Sequence, residues 1–472
     1  MTRLVTLGCF FERIRRLFGQ WAGFRSQLHA FRDVIEADGG SMPAVLPSLT
    51  AFDPETSSEG TLDPLGLYLI ADQLATRLVP AVRERMQRIR FLTVMAVGAV
   101  LSEELEWKAD ESECEPWLVW EWLVVEALLR SPTIAPELRG VPGTLVTKRA
   151  LARTEHRYLD ERSYLKTPRI FGFHGVYKRL AIHLGLVDVH MNPQATAEEL
   201  VQAWARDQGW GTRQEANQLF DVWRTGLRRS LEATPPRTHT YWNTEKWEQL
   251  AQSMRPDGAG KHEKKVLSRL LLNNDHRSLG ALSDIWSLQE ELDDDNYCEE
   301  RVFAELKLRV PNLSTLLDAI TAYEAFCRKL TDGFNLIRKH AVDADMRGLK
   351  VTELGGESSF VDAVADLSSA FESAYAALQS LDGRLANEFD ERFRAFAEPM
   401  VSSETAVALC EHHEAIQRGK SDAGKRTWFD RLGEDRIYLR QQYRESIADP
   451  MPDRFVHDYR ARPIRNFYKD LK

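Results

Sequence analysis

The sequence predicts a mainly α-helical, multi-domain protein, and three observations carry that prediction. Apolar residues recur at helical spacing along most of the chain, as in Phe360, Val364, Leu367, Phe371 and Tyr375. Helix-start signatures stand ahead of apolar runs at Thr196/Glu199, Thr315/Asp318 and Ser359/Asp362. Strand-like alternation is confined to Thr427–Asp430 and Arg436–Tyr443, which read as a short C-terminal β-hairpin turning near Gly433. The 472 residues are 43% hydrophobic and 28% charged. That composition excludes a largely disordered, collagen-like or low-complexity chain, and the length leaves room for about three domains.

Taken in order, Phe10, Ile14, Leu17 and Trp21 suit an amphipathic first helix. Residues 39–62, rich in Gly, Pro, Ser and Thr, read as a linker, and 253–264 as a second break. These breaks define an N-terminal helical segment (1–40), a helical domain (61–252) and a C-terminal helical domain (265–472). A helix over 64–79 is followed by one opening at Pro80, where proline fits a first turn. This second helix carries Arg83, Arg85, Arg88 and Arg90 before the apolar run FLTVMAVGAVL. An acidic stretch (103–115) leads to a Trp-rich helix over 117–130. Further helices are expected from Thr196 through Trp204 and over 213–231, 279–292, 297–310, 314–342, 358–380, 382–397 and 402–418. No internal repeat is visible.

Several classes are disfavoured. The five cysteines (9, 114, 298, 327, 410) lack any C-x-x-C spacing, which argues against a disulfide framework or zinc finger and for a reducing, cytoplasmic setting. The apolar start around Cys9 is too short for a secretory signal and runs into Glu12, Arg13, Arg15 and Arg16. The apolar runs 91–101 and 117–129 are too short to span a bilayer, so no membrane association is expected.

Two segments suit nucleic-acid contact. Residues 141–179 hold nine Lys/Arg against three Asp/Glu, a net of +6 in a chain of −9. Lys148, Arg149, Arg153, Arg157, Lys178 and Arg179 are placed on phosphates. Tyr177 is placed at a base or sugar, among interleaved aromatics that suit stacking. Within it, 165–190 has the pattern of a winged helix-turn-helix: a short helix after Gly175, a stop at Gly185, then extended Leu186–Val189. The second segment is C-terminal, where 454–472 carries six Lys/Arg against Asp458 and Asp470. Lys425, Arg426, Arg460, Arg462 and Arg465 extend the track there. The competing readings are a basic segment bridged to the acidic stretch and a tail docked on its own domain.

Catalytic signatures are incomplete, and no cofactor is expected. Cys410 and His413 share a helix face but lack further ligands, so no metal site is assigned. The nuclease-like triplets Glu106-Trp107-Lys108 and Glu305-Leu306-Lys307 fall in helical patterns, the wrong context for that chemistry. Gly355-Gly356 precedes a helix start and needs no phosphate.

Two stretches, LKTPRIFGFHGVYKRLAIHLGLVD and HHEAIQRGKSDAGKRTWFDRL followed by FVHDYRARPIRNFYKDL, resemble uncharacterised bacterial proteins of anti-phage defence gene clusters. The resemblance covers about a fifth of the chain. It implies work beside a helicase, nuclease or ATPase supplied by another subunit. The sequence is thus read as a non-catalytic nucleic-acid-binding subunit of such a complex, with DNA expected ahead of RNA. The alternatives are a helical interaction scaffold using helices 117–130, 314–342 and 358–380, and a metal-dependent nuclease.

Overall fold

The computed structural model describes residues 63–472 apart from 104, 106–113, 154–157, 210–212, 233–237, 241–243, 274–276, 293–296, 421–426, 434–435 and 446. The expected N-terminal helix, the segment 1–40 and the linker 39–62 lie outside the described residues.

Helix α1 (Tyr68–Leu78) opens the described chain, with Asp63 accepting the amide protons of Leu67 and Tyr68 at its start. Helix α2 (Phe91–Glu103) is apolar on every face and buried nearly throughout, as such a helix must be. It crosses α3 (Pro116–Arg130), whose residues Leu118–Leu128 are all buried. Gly98 makes the crossing: a Cβ there would overlap the Trp120 indole, whose Nε1 donates to the Val94 carbonyl at 2.9 Å. Trp204 on α7 (Ala195–Asp207) and Trp223 on α8 (Arg213–Leu231) complete this cluster. Between α3 and α7 lie α4 (Thr144–Ala152), α5 (Pro168–Phe171) and α6 (Phe173–His183).

Helices α9 (Thr244–Met254), α10 (Lys261–Leu272), α11 (Leu282–Ser287) and α12 (Glu299–Arg309) lead to the 31-residue α13 (Ser314–Ala344). Around α13 pack α14 (Ser358–Val364), α15 (Leu367–Leu381), α16 (Gly383–Phe393) and α17 (Ser402–Gly419). Its Phe326 meets the rings of Phe371, Phe389 and Phe393. Strands β1 (Leu349–Lys350), β2 (Phe429–Leu432) and β3 (Arg436–Leu439) form an antiparallel sheet in the order β1-β3-β2. Helix α18 (Arg462–Leu471) ends the chain. With eighteen α-helices among the described residues and one small sheet, the protein is mainly α with the expected hairpin, in register Phe429↔Leu439.

Four expectations need correction. From residue 63 to 472 the described chain is one compact unit, and the expected break at 253–264 holds only the turn between α9 and α10. Tertiary contacts bridge it: Arg90 and Glu263 form a fully buried ion pair at 3.0 Å, and the Tyr323 hydroxyl donates to the Leu67 carbonyl at 2.6 Å. Residues 80–90 are not helical, and Ala81 has φ +67°. Their amides serve distant partners instead, that of Arg88 donating to the Tyr177 hydroxyl and that of Ile89 to Asp470. The helix expected over 358–380 breaks at Ala365–Asp366, where Asp366 has φ +55°. The winged helix-turn-helix lacks its wing. Helix α6 does stop at Gly185, in a Schellman turn with Leu186 donating to the Ala181 carbonyl and Gly185 to Ile182. Beyond it, however, Val187 and Pro193 make an isolated bridge and not a pair of strands.

Candidate nucleic-acid interface

Helix α4 presents the exposed part of the predicted basic segment. Thr147 and Ala150 are its buried residues, and it packs on α3. Gly143, at φ +79°, starts it where Tyr164 fills the space a side chain would need. With that face inward, Lys148, Arg149 and Arg153 are exposed. Leu145 and Arg149 stand four residues apart on one face, with Leu145 71% exposed, and Arg153 caps the end of the helix with extended backbone. Among the described residues, no ion pair engages Lys148, Arg149, Arg153, Lys166 or Lys178. Arg169 reaches Glu115 at 2.9 Å, so the bridge to the acidic stretch exists at one point. Both side chains there are well exposed, and such a pair contributes at most about 1 kcal/mol. Arg179 is half-buried and engaged within the chain. Arg157 lies outside the described residues.

The interleaved aromatics do not serve as a stacking platform. Tyr177, expected at a base or sugar, is fully buried between α2 and the 80–90 segment. Its ring lies 5.5 Å from that of Phe91, and its hydroxyl accepts the Arg88 amide proton at 2.8 Å. Burial raises its phenol well above the usual range. Phe173 stacks on Phe91 in the core, and the buried Tyr164 donates to Glu121 at 2.8 Å. Glu121 also accepts from the His174 amide and ring Nδ1, both at 2.9 Å. This explains how a carboxylate sits inside an apolar helix: three donors replace its water.

The C-terminal track is corrected more strongly. Arg460 is 3% exposed and donates to Glu324 at 2.5 Å and to the His457 carbonyl at 2.6 Å. Glu324 also accepts the amides of Val456 (2.8 Å) and His457 (3.0 Å) and faces the His457 ring at 2.9 Å. Glu299 accepts the Ala461 amide and lies 3.7 Å from Arg460. Burial pushes both carboxyls up, but for Glu324 the facing His457 and Arg460 outweigh it and hold the group below the usual range. Glu299 is pushed up to about 8, since Arg460 and the Ala461 amide offset its burial only in part. Arg465 is buried too, with Nη2 donating to the Leu292 carbonyl at 2.7 Å and its guanidinium over the Tyr297 ring. Arg462 is exposed and pairs with Asp458. Arg460 and Arg465 thus fasten the tail to its own domain, while the Arg462 pair lies within the tail. Lys425 and Arg426 lie outside the described residues.

Cys410 and His413 have structural employment. Cys410 is buried, and burial pushes its thiol up to about 12. His413 donates from Nδ1 to the Pro64 carbonyl at 2.9 Å and accepts the Trp428 amide on Nε2 at 3.0 Å. Its neighbour His412 bonds the Leu65 carbonyl at 2.9 Å. The two histidines therefore tie the start of the described chain to α17. Among the described residues no group of three His, Cys, Asp or Glu is arranged to hold a metal. Glu305 and Lys307 lie on α12, while Glu106–Lys108 lie outside the described residues.

One feature had no sequence signal: a cleft of about 150 Å³ whose wall includes Arg88, Arg139 and Arg255, brought together from distant segments. Comparison with protein-family models, with curated proteins and with solved structures finds no match for this chain.

Proposed function

We propose that this chain is a non-catalytic nucleic-acid-binding subunit of a multi-protein complex and that it grips phosphates through α4. The observation that carries the reading is the exposed trio of Lys148 and Arg149 on one short helix and Arg153 at its C-terminal cap, none of them in an ion pair with any described residue. Exposed arginines elsewhere, such as Arg309, Arg394 and Arg418, are engaged by their own carboxylates. Cations that no described residue engages in an ion pair remain available for phosphate contact and counterion release. Exposed Lys166 and Lys178 on the following segment add to the same charge. The catalytic step of the complex is assigned to a helicase, nuclease or ATPase partner, and DNA is placed ahead of RNA. The scaffold alternative loses support because α3, one of its three expected docking helices, is enclosed by its own chain.

Fluorescence anisotropy with labelled single-stranded and duplex DNA and RNA tests the reading. The expected result is low-salt binding that the triple variant K148E/R149E/R153E abolishes. Equal affinity of wild type and variant for every probe overturns it.

A further inference from the structure

We propose that the cleft formed by Arg88, Arg139 and Arg255 is a phosphate-binding site, separate from α4 and independent of the reading given to it. Three arginines line one pocket, and the guanidinium of each keeps donors that no described group accepts. Arg255 gives Nε (2.9 Å) and Nη2 (3.0 Å) to Asp257, which leaves Nη1. Arg88 gives Nη1 to Asp470 at 2.7 Å, which leaves Nε and Nη2. Arg139 gives Nη1 to the Leu138 carbonyl at 3.0 Å and more weakly to that of Pro136, which also leaves Nε and Nη2. Planar guanidinium donors are suited to the tetrahedral oxygens of a phosphate.

The rim is set in advance by buried contacts. The Arg88 amide is held by the buried Tyr177 hydroxyl. The Arg255 carbonyl accepts from Nη1 of Arg90, which is 1% exposed and paired with Glu263. Gly140, at φ +70°, lets the Arg139 turn lie against the side chains of Gln87 and Arg88. Such fixing lowers the ordering cost of binding. A volume near 150 Å³ admits a molecule of benzene size, ample for a phosphate group. Among the lining residues three arginines face two acids, Glu137 and Asp257, so the wall is net positive. Glu137 is exposed and is the group that opposes an incoming anion.

The test is a 31P NMR titration at constant ionic strength, with inorganic phosphate and with a 5′-phosphorylated dinucleotide as probes. Wild type is expected to shift and broaden the phosphate resonance saturably. R139Q/R255Q is expected to weaken that at least tenfold, while the distant R394Q leaves it unchanged. Arg139 is exposed and Arg255 half-buried, and a thermal melt of each variant confirms folding. E137Q supplies an opposite readout, expected to tighten binding severalfold. Tighter binding of the dinucleotide assigns the phosphate to a nucleotide or nucleic acid, and equal binding assigns it to the free ion. Wild-type titrations matching those of R139Q/R255Q, or E137Q binding no better than wild type, overturn the proposal.

Discussion

Replacing Arg460 by methionine tests how the C-terminal segment is held. The substitution keeps length and apolar volume but removes the guanidinium shared by Glu299 and Glu324, whose side chains are 1% and 0% exposed. Removing one partner of a buried pair costs about 3–5 kcal/mol, because the remaining charges lose a counter-ion that water cannot replace, Glu324 keeping only His457 and two backbone amides. That is a large share of the roughly 5–15 kcal/mol stability of an ordinary domain. The penalty depends on pH. In wild type the depressed Glu324 contributes stability above its unfolded value near 4.5, and this is lost as pH falls through the lower folded value. Glu299, raised to about 8, works the other way: stability declines as pH rises from near 4.5 toward 8. Without Arg460 both carboxyls shift upward, so the variant is least destabilised near pH 5 and most near pH 8. Urea denaturation followed by tryptophan fluorescence at the two pH values measures this. The double variant R460M/E324Q should recover part of the loss at pH 8. A cost for R460M below about 1 kcal/mol at pH 8, or a larger cost at pH 5, would refute the reasoning and return Arg460 to the nucleic-acid track.

Other consequences can be measured in parallel. Gly98→Ala forces its methyl into the Trp120 indole and should cost about 1–3 kcal/mol in denaturant unfolding. Tyr177→Phe leaves the Arg88 amide without its acceptor and should cost about 1–3 kcal/mol, with nucleic-acid affinity unchanged. His413 is held neutral by burial, down to about 4, and protonating Nε2 would set it against the Trp428 amide. Its folded value lies below the unfolded 6.5, so the stability it supports falls as pH drops from 6.5 through 4. His413→Gln should flatten that part of the pH–stability curve. Treatment with a metal chelator should leave the wild-type melting temperature unchanged, which calorimetry checks.

Much of the helical frame was legible because periodicity and stop signals are local. The limits of α8 and the positions of α3 and α17 follow from apolar spacing and flanking residues. The 80–90 segment misled because its amides are taken by Tyr177 and Asp470, far off in sequence. Strand β1 has two residues, too few to show alternation. The site was less legible than the frame. Arg460 and Arg462 stand two positions apart with opposite fates, one buried against Glu324 and the other exposed beside Asp458. Charge pattern alone cannot separate them, since the deciding carboxylate lies 136 residues away. The same holds for Tyr177 and Lys178, neighbours on α6 that face the core and solvent. The cleft arginines, drawn from residues 88, 139 and 255, left no local trace at all.

The most direct test of the central claim is the salt dependence of DNA binding. Three phosphate contacts by Lys148, Arg149 and Arg153 correspond to about 2.7 units of slope in log Kobs against log salt on duplex DNA. The account predicts that neutralising the three, as K148Q/R149Q/R153Q, lowers the slope by about that amount and weakens binding similarly across sequences. An unchanged slope, with wild-type affinity retained at each salt concentration, would contradict it.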